Sequence, residues 1–266
     1  MKLPDLWRAT RQWLPFALRT VAYGTLSITL GPLTRDRRAS LWAMQRWCRS
    51  NIRGLNLAVE ASGLENVPAT GAFVYCTNHQ SIVDIIVLGA VLPGDYKWAA
   101  KRSVMRIPFL GWHLAIAGHV PVDRGAGTRA AADAIRRFEH VLLDGKPLLV
   151  FPEGTRSQDG LMRSFKSGCF YAAVRAGVPI VPAALHGTHR LMKRGAHDIG
   201  DETVRPVSVK VGSPIYPKLE GNEEVRVADL RDRTYDAVAG LLESIGCRTK
   251  ARGRPEVELP QVAPAA

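Results

Sequence analysis

The stretch at residues 77–84, TNHQSIVD, joins two apolar runs and sets the pattern for the rest of the chain. Residues 72–76 (AFVYC) before it have the composition of a buried strand, and residues 85–92 (IIVLGAVL) after it have that of a buried helix. Proteins of the α/β class commonly place binding and catalytic residues at such strand-to-helix turns. The stretch therefore predicts a strand–turn–helix unit that carries His79 and Asp84 at its turn.

The spacing of His79 and Asp84 favours contact from the turn rather than within the helix, because residues five apart on a helix diverge by about 140°. An imidazole that bonds a carboxylate through one nitrogen keeps the other free to accept a proton, and such general-base help raises a rate by about 10²- to 10⁴-fold. The same residues also fit a capping box, in which Ser81 is the N-cap and Asp84 bonds back to its amide. This stretch alone leaves both interpretations open.

Beyond residue 55, short apolar runs alternate with helical patterns. Strands are predicted at residues 57–61, 72–76, 96–100, 119–122, 148–151, 180–185 and 207–211, and helices at 82–92, 128–143, 168–176 and 227–245. Alternation of this kind predicts an α/β fold with a mixed, largely parallel sheet covered by helices. The chain length of 266 residues suits one such core plus an appendage. We assign the core to residues 55–246 and a disordered tail, rich in Pro, Ala, Arg and Glu, to residues 247–266.

Residues 1–54 are expected to form a basic, membrane-associating helical segment. Residues 1–60 carry ten basic and three acidic side chains and four of the six tryptophans. The apolar run at 14–33 is interrupted by Pro15, Gly24 and Gly31, which favours a helix lying in one leaflet over one that spans the membrane. A helix that only packs on the core is the alternative. Residues 37–53 predict a second amphipathic helix.

The formal net charge of +12 implies an acidic partner. Because the N-terminal charge is mixed with tryptophan and apolar residues, it fits an anionic membrane surface better than nucleic acid. The four cysteines lie far apart and form no Cys-x-x-Cys pair, which argues against a zinc site or a disulfide framework. We expect the protein to be attached to the cytoplasmic face of a membrane, which in a bacterium would be the inner membrane.

Three later stretches have the character of site loops. Residues 120–125 (VPVDRG) end a strand with an acid–base pair, and residues 178–183 (VPIVPA) fit a pocket wall. Residues 151–157 (FPEGTRS) follow a strand and suit an anion, because Arg156 can grip a phosphate with two nitrogens and Gly154 lets the backbone approach. The alternative for this loop is a set of charges that are only solvated.

Together these stretches resemble the four motif blocks of the glycerophospholipid acyltransferase family, most closely the 1-acylglycerol-3-phosphate acyltransferases. The blocks occur in order as Asn78-His79 with Asp84, then residues 122–125, 151–157 and 178–182. Residues 165–168 (FKSG) also look like the basic segment that follows the third block in that family. The resemblance covers residues 55–215.

The resemblance implies that His79 removes the proton from the sn-2 hydroxyl of 1-acylglycerol-3-phosphate, which attacks the thioester of acyl-CoA or acyl carrier protein and gives phosphatidic acid. Asp84 would orient the imidazole and stabilise its charged form. The substrate-binding residues that the resemblance implies are Asn78, Lys101, Arg124, Glu153, Gly154, Thr155 and Arg156. It implies neither a cofactor nor a metal.

Other functions compete with this one. The acceptor can be another lysolipid, such as lyso-ornithine lipid. Ser81 can be imagined as a hydrolase nucleophile, although the Gly-x-Ser-x-Gly elbow is absent, and His197 with Asp198 as metal ligands of a phosphohydrolase. A non-enzymatic basic protein that binds membranes or nucleic acid would explain the charge but not the four ordered blocks.

Overall fold

The computed structural model describes residues 3–123, 127–157, 159–191 and 205–247. Its strands are β1 (Leu57–Ser62), β2 (Val74–Thr77), β3 (Lys97–Lys101), β4 (Val120–Val122), β5 (Leu148–Val150), β6 (Ile180–His186) and β7 (Arg205–Val211). Its helices are α1 (Leu3–Leu30), α2 (Arg38–Gly54), α3 (Asp84–Val91), α4 (Leu110–Ile116), α5 (Gly127–Leu143), α6 (Gly168–Ala176), α7 (Thr188–Leu191) and α8 (Glu223–Ser244).

The seven strands form one sheet in the order β1-β7-β6-β2-β5-β3-β4. All neighbours are parallel except β6 and β7, which pair antiparallel. The middle strands β2 and β5 are buried along their whole length, as expected where helices cover both faces of a parallel sheet. The predicted mixed, largely parallel sheet is confirmed.

Successive residues of β2 supply two separate hydrophobic cores, because side chains alternate between the faces of a strand. Tyr75 packs with residues of α2 and α3, among them Trp47 and Leu88. Val74 and Cys76 pack on the other face with residues of α5, α6 and α8. The sheet is thus the middle layer of three, and the ends of its strands are left for the site.

Three features differ from the sequence prediction. Helix α4 and the 3₁₀ turn at Arg102–Arg106 lie in a stretch to which no element was assigned. Helix α8 begins four residues early, at Glu223, because the Asn222 side chain caps it by accepting a bond from the Val225 N–H at 3.0 Å. Cys247 is buried in the core beside α8, so the ordered part of the chain extends past the predicted boundary at 246. The remaining tail, 248–266, lies outside the described residues.

The N-terminal helices share the core of the α/β fold. Met44, Trp47 and Cys48 of α2 are buried, and a Cβ added to Gly89 of α3 would lie 2.4 Å from the Cys48 sulfur. Glycine at this position therefore lets the two helices approach closely. Among the described residues, no helix combines the length and hydropathy that a membrane crossing requires.

Helix α1 has two apolar faces. One packs against α2 and α4, where Phe16 stacks edge-on with Trp47 at 5.5 Å. The other carries Leu14, Leu18 and Val21, which are 54%, 61% and 42% exposed, at the spacing of one side of a helix. An apolar stripe of this kind is unusual on a surface that faces only water.

Candidate active site

The His79–Asp84 pair forms in the way that its spacing predicts. Strand β2 ends at Thr77, the chain turns, and α3 starts at Asp84, so His79 lies in the turn that precedes the helix. The His79 Nδ1 and Asp84 Oδ2 atoms are 2.7 Å apart. The same oxygen accepts the backbone N–H groups of Gln80 at 2.7 Å and Ser81 at 2.9 Å. Asp84 therefore both closes the turn and holds the imidazole. Of the predicted capping box, only the bond from Asp84 back to the Ser81 amide forms, because α3 begins at Asp84 and its N-cap is Val83, not Ser81.

The imidazole of His79 is fixed on every side but one. Its ring stacks on Phe151 with the centroids 4.0 Å apart, its backbone N–H donates to Glu153 Oε1 at 2.7 Å, and its carbonyl accepts from the Ser157 N–H at 2.8 Å. With Nδ1 bonded to Asp84, only Nε2 is left without a hydrogen-bond partner among the described residues. Nε2 is thus the atom able to exchange a proton with a substrate.

Glu153 supports the turn of His79 from the neighbouring strand end. One carboxylate oxygen bonds the His79 N–H, and the other accepts the Arg163 N–H at 3.1 Å. Burial raises the pKa of the Glu153 carboxyl to about 8, against the smaller opposing effect of these two amides. A carboxyl that already accepts two backbone bonds fits a positioning role better than the predicted role of phosphate ligand.

Gly154 completes the tight turn that follows Glu153. Its N–H donates to the Phe151 carbonyl at 3.0 Å. Its φ is +71°, a backbone conformation that residues other than glycine adopt only at a cost in free energy. A Cβ here would lie 3.0 Å from the side chain of Lys166. The predicted loop is therefore a built turn that carries a lysine on one side. Thr155 lies in it, half-exposed.

Asn78 has a different role from the predicted one. Its amide nitrogen donates to the Leu185 carbonyl at 2.8 Å, and its amide oxygen accepts the Leu185 N–H at 2.8 Å. Both polar atoms are spent on β6, and the side chain is buried. Asn78 ties the His79 turn to the adjacent strand, and it does not line the cavity described next.

An apolar cavity of about 500 Å³ opens beside His79. Its walls come from both parts of the chain. The residues that line it include Phe16 and Tyr23 of α1, Met44 and Trp47 of α2, Val104 and Ile107 after β3, Leu114 of α4, and Phe151. The ionisable side chains that line it include His79, Lys101, His113 and Arg156. Cavities of this size and character hold small apolar ligands or chains.

The predicted cations are brought together only in part. Lys101 and Arg156 both line the cavity that His79 lines, and neither is ion-paired with a described carboxylate. Arg124 lies outside the described residues, as do His197 and Asp198. Asp123, next to Arg124, bonds the Arg102 side chain at 2.6 Å.

Several contacts of the site carry no signal in the sequence. The stacking of Phe151 on His79 and the contribution of α1 to the cavity depend on tertiary packing between distant segments. Thr188 donates a 2.5 Å hydrogen bond to Asp84 Oδ1 from the far end of β6. The one available hint is the polar sequence His186-Gly187-Thr188 directly after an apolar strand.

Comparison with known proteins first defines the class. Residues 58–186 match the family model described as Acyltransferase. This range contains the buried His79–Asp84 pair at the end of β2. The crystal structure of the 1-acyl-sn-glycerophosphate (LPA) acyltransferase PlsC from Thermotoga maritima shares 28% sequence identity, with a TM-score of 0.76 over 93% of this chain and 99% of that one.

Curated relatives indicate which acyltransferases this chain is similar to in sequence. The 1-acyl-sn-glycerol-3-phosphate acyltransferase of Saccharomyces cerevisiae is 30% identical over 84% of this chain and 73% of its own length. The chloroplastic 1-acyl-sn-glycerol-3-phosphate acyltransferase BAT2 of Brassica napus is 38% identical over 59% of this chain, which spans 45% of that enzyme. The chain spans 45% and 39% of the length of the chloroplastic relatives from Brassica napus and Arabidopsis thaliana. It belongs to the 1-acyl-sn-glycerol-3-phosphate acyltransferase family.

Proposed function

We propose that this protein transfers an acyl chain from a thioester donor to the sn-2 hydroxyl of 1-acylglycerol-3-phosphate. The observation that carries the proposal is the single free nitrogen of a rigidly held imidazole, which lines the same apolar cavity as Arg156. An acyl transfer to an alcohol needs a base for the hydroxyl, a site for an anionic head group and an apolar space for a chain. The site offers all three.

The proposed chemistry begins at His79. Its Nε2 takes the proton of the acceptor hydroxyl as the oxygen attacks the thioester carbonyl, and the imidazolium then returns that proton to the departing thiolate. Asp84 stays ionised and stabilises the imidazolium at 2.7 Å. Because the substrate alcohol is the nucleophile, no serine of the chain needs to form a covalent intermediate.

The phosphate of the acceptor would be bound by Arg156 and Lys101, which line the cavity. Arg156 can bond two phosphate oxygens at once, and Lys101 adds a point charge. The raised pKa of Glu153 supports this assignment, because a proton on that carboxyl near neutral pH removes a negative charge from the anion's surroundings. Arg124 keeps its proposed role as a third cation on the strength of its sequence block alone.

The acyl chain is assigned to the apolar cavity, and the protein to a membrane surface. Lysolipids and their products reside in bilayers, and the exposed stripe of Leu14, Leu18 and Val21 on α1 would insert among lipid chains. Nearby arginines such as Arg11 and Arg19 would favour anionic lipids. The donor is acyl-CoA or acyl carrier protein.

The test is a matrix of acceptors and donors with the purified protein. The acceptors are lysophosphatidate, lysophosphatidylcholine, lyso-ornithine lipid and a monoacylglycerol without phosphate, and the donors are palmitoyl-CoA and palmitoyl-acyl carrier protein. We expect turnover with lysophosphatidate at least tenfold above that with the other acceptors. Faster turnover of lyso-ornithine lipid, or hydrolysis of the thioester without transfer, would refute the proposal.

Membrane attachment is tested separately by sedimentation with phosphatidylglycerol vesicles. Changing Leu14 and Leu18 to Ser should weaken binding about tenfold or more, because each removes most of a buried leucine's transfer energy of about 1.5–3 kcal/mol. Leu219→Ser is the matched control, since Leu219 is 91% exposed on a loop far from α1 in sequence. Equal binding by all three proteins would place the attachment surface elsewhere.

A further inference from the structure

Asp84 has a second oxygen whose single partner comes from outside the four motif blocks. The carboxylate is fully buried, and Oδ2 takes its three donors from the His79 turn. Oδ1 accepts from the hydroxyl of Thr188 at 2.5 Å, the one hydrogen bond it receives among the described residues. Thr188 is itself fully buried, so water does not replace it.

The chain is built to deliver Thr188 to this point. Strand β6 ends at His186, and Gly187 turns the chain with a φ of +105°. A Cβ on Gly187 would lie 2.4 Å from the Pro206 carbonyl oxygen, so only glycine fits without movement of β7. Three residues upstream, Leu185 holds both polar atoms of Asn78. The end of β6 thus grips the catalytic turn twice, once on each side of His79.

We propose that Thr188 is a positioning residue of the acyl transfer, which fixes the Asp84 carboxylate so that Oδ2 faces the imidazole. A buried carboxylate oxygen without a donor is costly, and rotation of the carboxylate toward other donors would relieve that cost. The hydrogen bond from the Thr188 hydroxyl to Oδ1 removes that cost, so the carboxylate keeps its orientation. The proposal rests on the assignment of His79 and Asp84 as the catalytic pair.

The hydroxyl is isolated by comparing Thr188→Ser with Thr188→Ala, which differ by one oxygen atom. Thr188→Ser should stay within about threefold of the wild-type kcat, whereas Thr188→Ala should lose about 10- to 100-fold, in keeping with a net loss for a bond to a charged group of roughly 1.5–3 kcal/mol. KM for acceptor and donor should hardly change, because the residue touches neither. Equal kcat values for the two variants would reduce Thr188 to a packing role and overturn the proposal.

A matched control comes from Thr234 of α8. It is also fully buried, and within the described part of the chain its hydroxyl bonds only the Leu230 carbonyl of its own helix, at 2.7 Å. Thr234→Ala should keep the wild-type kcat per folded molecule. A loss of kcat equal to that of Thr188→Ala would show that any buried threonine matters through folding alone, which contradicts the proposal.

Coupling to Asp84 is the last part of the test. In an Asp84→Asn background, where the charge is already gone, Thr188→Ala should lower the remaining kcat by less than about threefold. A full, additive loss would mean that Thr188 acts through another group. If His79→Ala is inactive and Asp84→Asn keeps only a small residual kcat, while Thr188→Ala has wild-type kcat, this inference alone is refuted. Near wild-type kcat in either of the first two variants would overturn the catalytic assignment and this inference with it.

Discussion

Replacing Asp84 by asparagine should remove the charge of the catalytic pair while leaving its geometry in place. Oδ2 accepts three hydrogen bonds, from His79, Gln80 and Ser81, so the asparagine oxygen will take that position. The amide nitrogen then faces the Thr188 oxygen at the Oδ1 position, and the hydroxyl can rotate to accept from it. The substitution therefore needs no rearrangement of the turn.

The cost falls on the charged imidazole that forms during the reaction. With Nδ1 and Oδ2 in contact at 2.7 Å, the centres of the two charged groups are about 4 Å apart, where unit charges attract by about 4 kcal/mol at an effective dielectric constant of about 20. Since about 1.4 kcal/mol is a factor of ten, kcat should fall about 10³-fold. The free energy of unfolding should change by less than about 1 kcal/mol, because the three donors to Oδ2 keep their acceptor, and the Thr188 hydroxyl, which turns from donor to acceptor, has Gln80 Oε1 at 3.5 Å as another acceptor for its hydrogen.

The assay is release of free CoA from palmitoyl-CoA in the presence of lysophosphatidate, followed with a thiol reagent. Asp133→Asn is the control, because Asp133 lies half-exposed on α5 and pairs with Arg136 there. It should keep the wild-type kcat. An Asp84→Asn enzyme within tenfold of the wild type would refute the role of the charge. A large loss of thermal stability would refute the geometric argument.

Three further outcomes are expected. Arg156→Ala should raise the KM for lysophosphatidate at least tenfold and leave that for the donor within about twofold, with partial recovery in Arg156→Lys; equal effects on both substrates in steady-state kinetics would contradict this. Glu153→Gln should flatten the pH dependence of the free energy of unfolding. In the wild type the pKa of Glu153 is near 8 in the folded state and near 4.5 in the unfolded state, so between these values the carboxyl holds a proton in the folded state only. The free energy of unfolding of the wild type therefore falls as pH rises through this range. Denaturant titrations at several pH values measure it, and parallel curves would disprove it. Gly89→Ala should destabilise the protein by about 1–3 kcal/mol, and Cys48→Ala should restore part of the loss, because the new methyl would meet the Cys48 sulfur; thermal melts in which the two changes simply add would contradict the α2–α3 contact.

The sheet could be predicted because its central strands β2, β5 and β6 are short, mostly apolar runs, and β7 alternates buried with less buried residues. The strand starts and ends shifted by one or two residues, as at β2, which begins at Val74 rather than residue 72. Helix α4 could not be predicted, since it has seven residues and follows Phe109, whose φ of +61° has no sequence signature in a phenylalanine. Such short elements are set by what they pack against.

The contact between His79 and Asp84 could be predicted because both residues lie within one local turn, where spacing limits geometry. Residues that meet across the sheet could not. Nothing in the sequence relates Asn78 to Leu185 or Asp84 to Thr188, which are 107 and 104 residues apart and depend on β2 and β6 being neighbours. The resemblance implied that Glu153 binds substrate, and nothing in the sequence indicates that its carboxyl group is buried and accepts the backbone N–H groups of His79 and Arg163.

Helix α1 meets two different surroundings along its length, and this makes its residues sensitive to opposite kinds of change. Ala17 and Leu18 are both exposed, but Ala17 lines the cavity and Leu18 does not. A larger apolar residue at 17 would shorten the space for a chain, while at 18 it would only add lipid contact. A serine would do little at 17 and weaken attachment at 18. A complete substitution scan of this helix would therefore separate, turn by turn, the positions that affect acyl-chain preference from those that affect membrane binding.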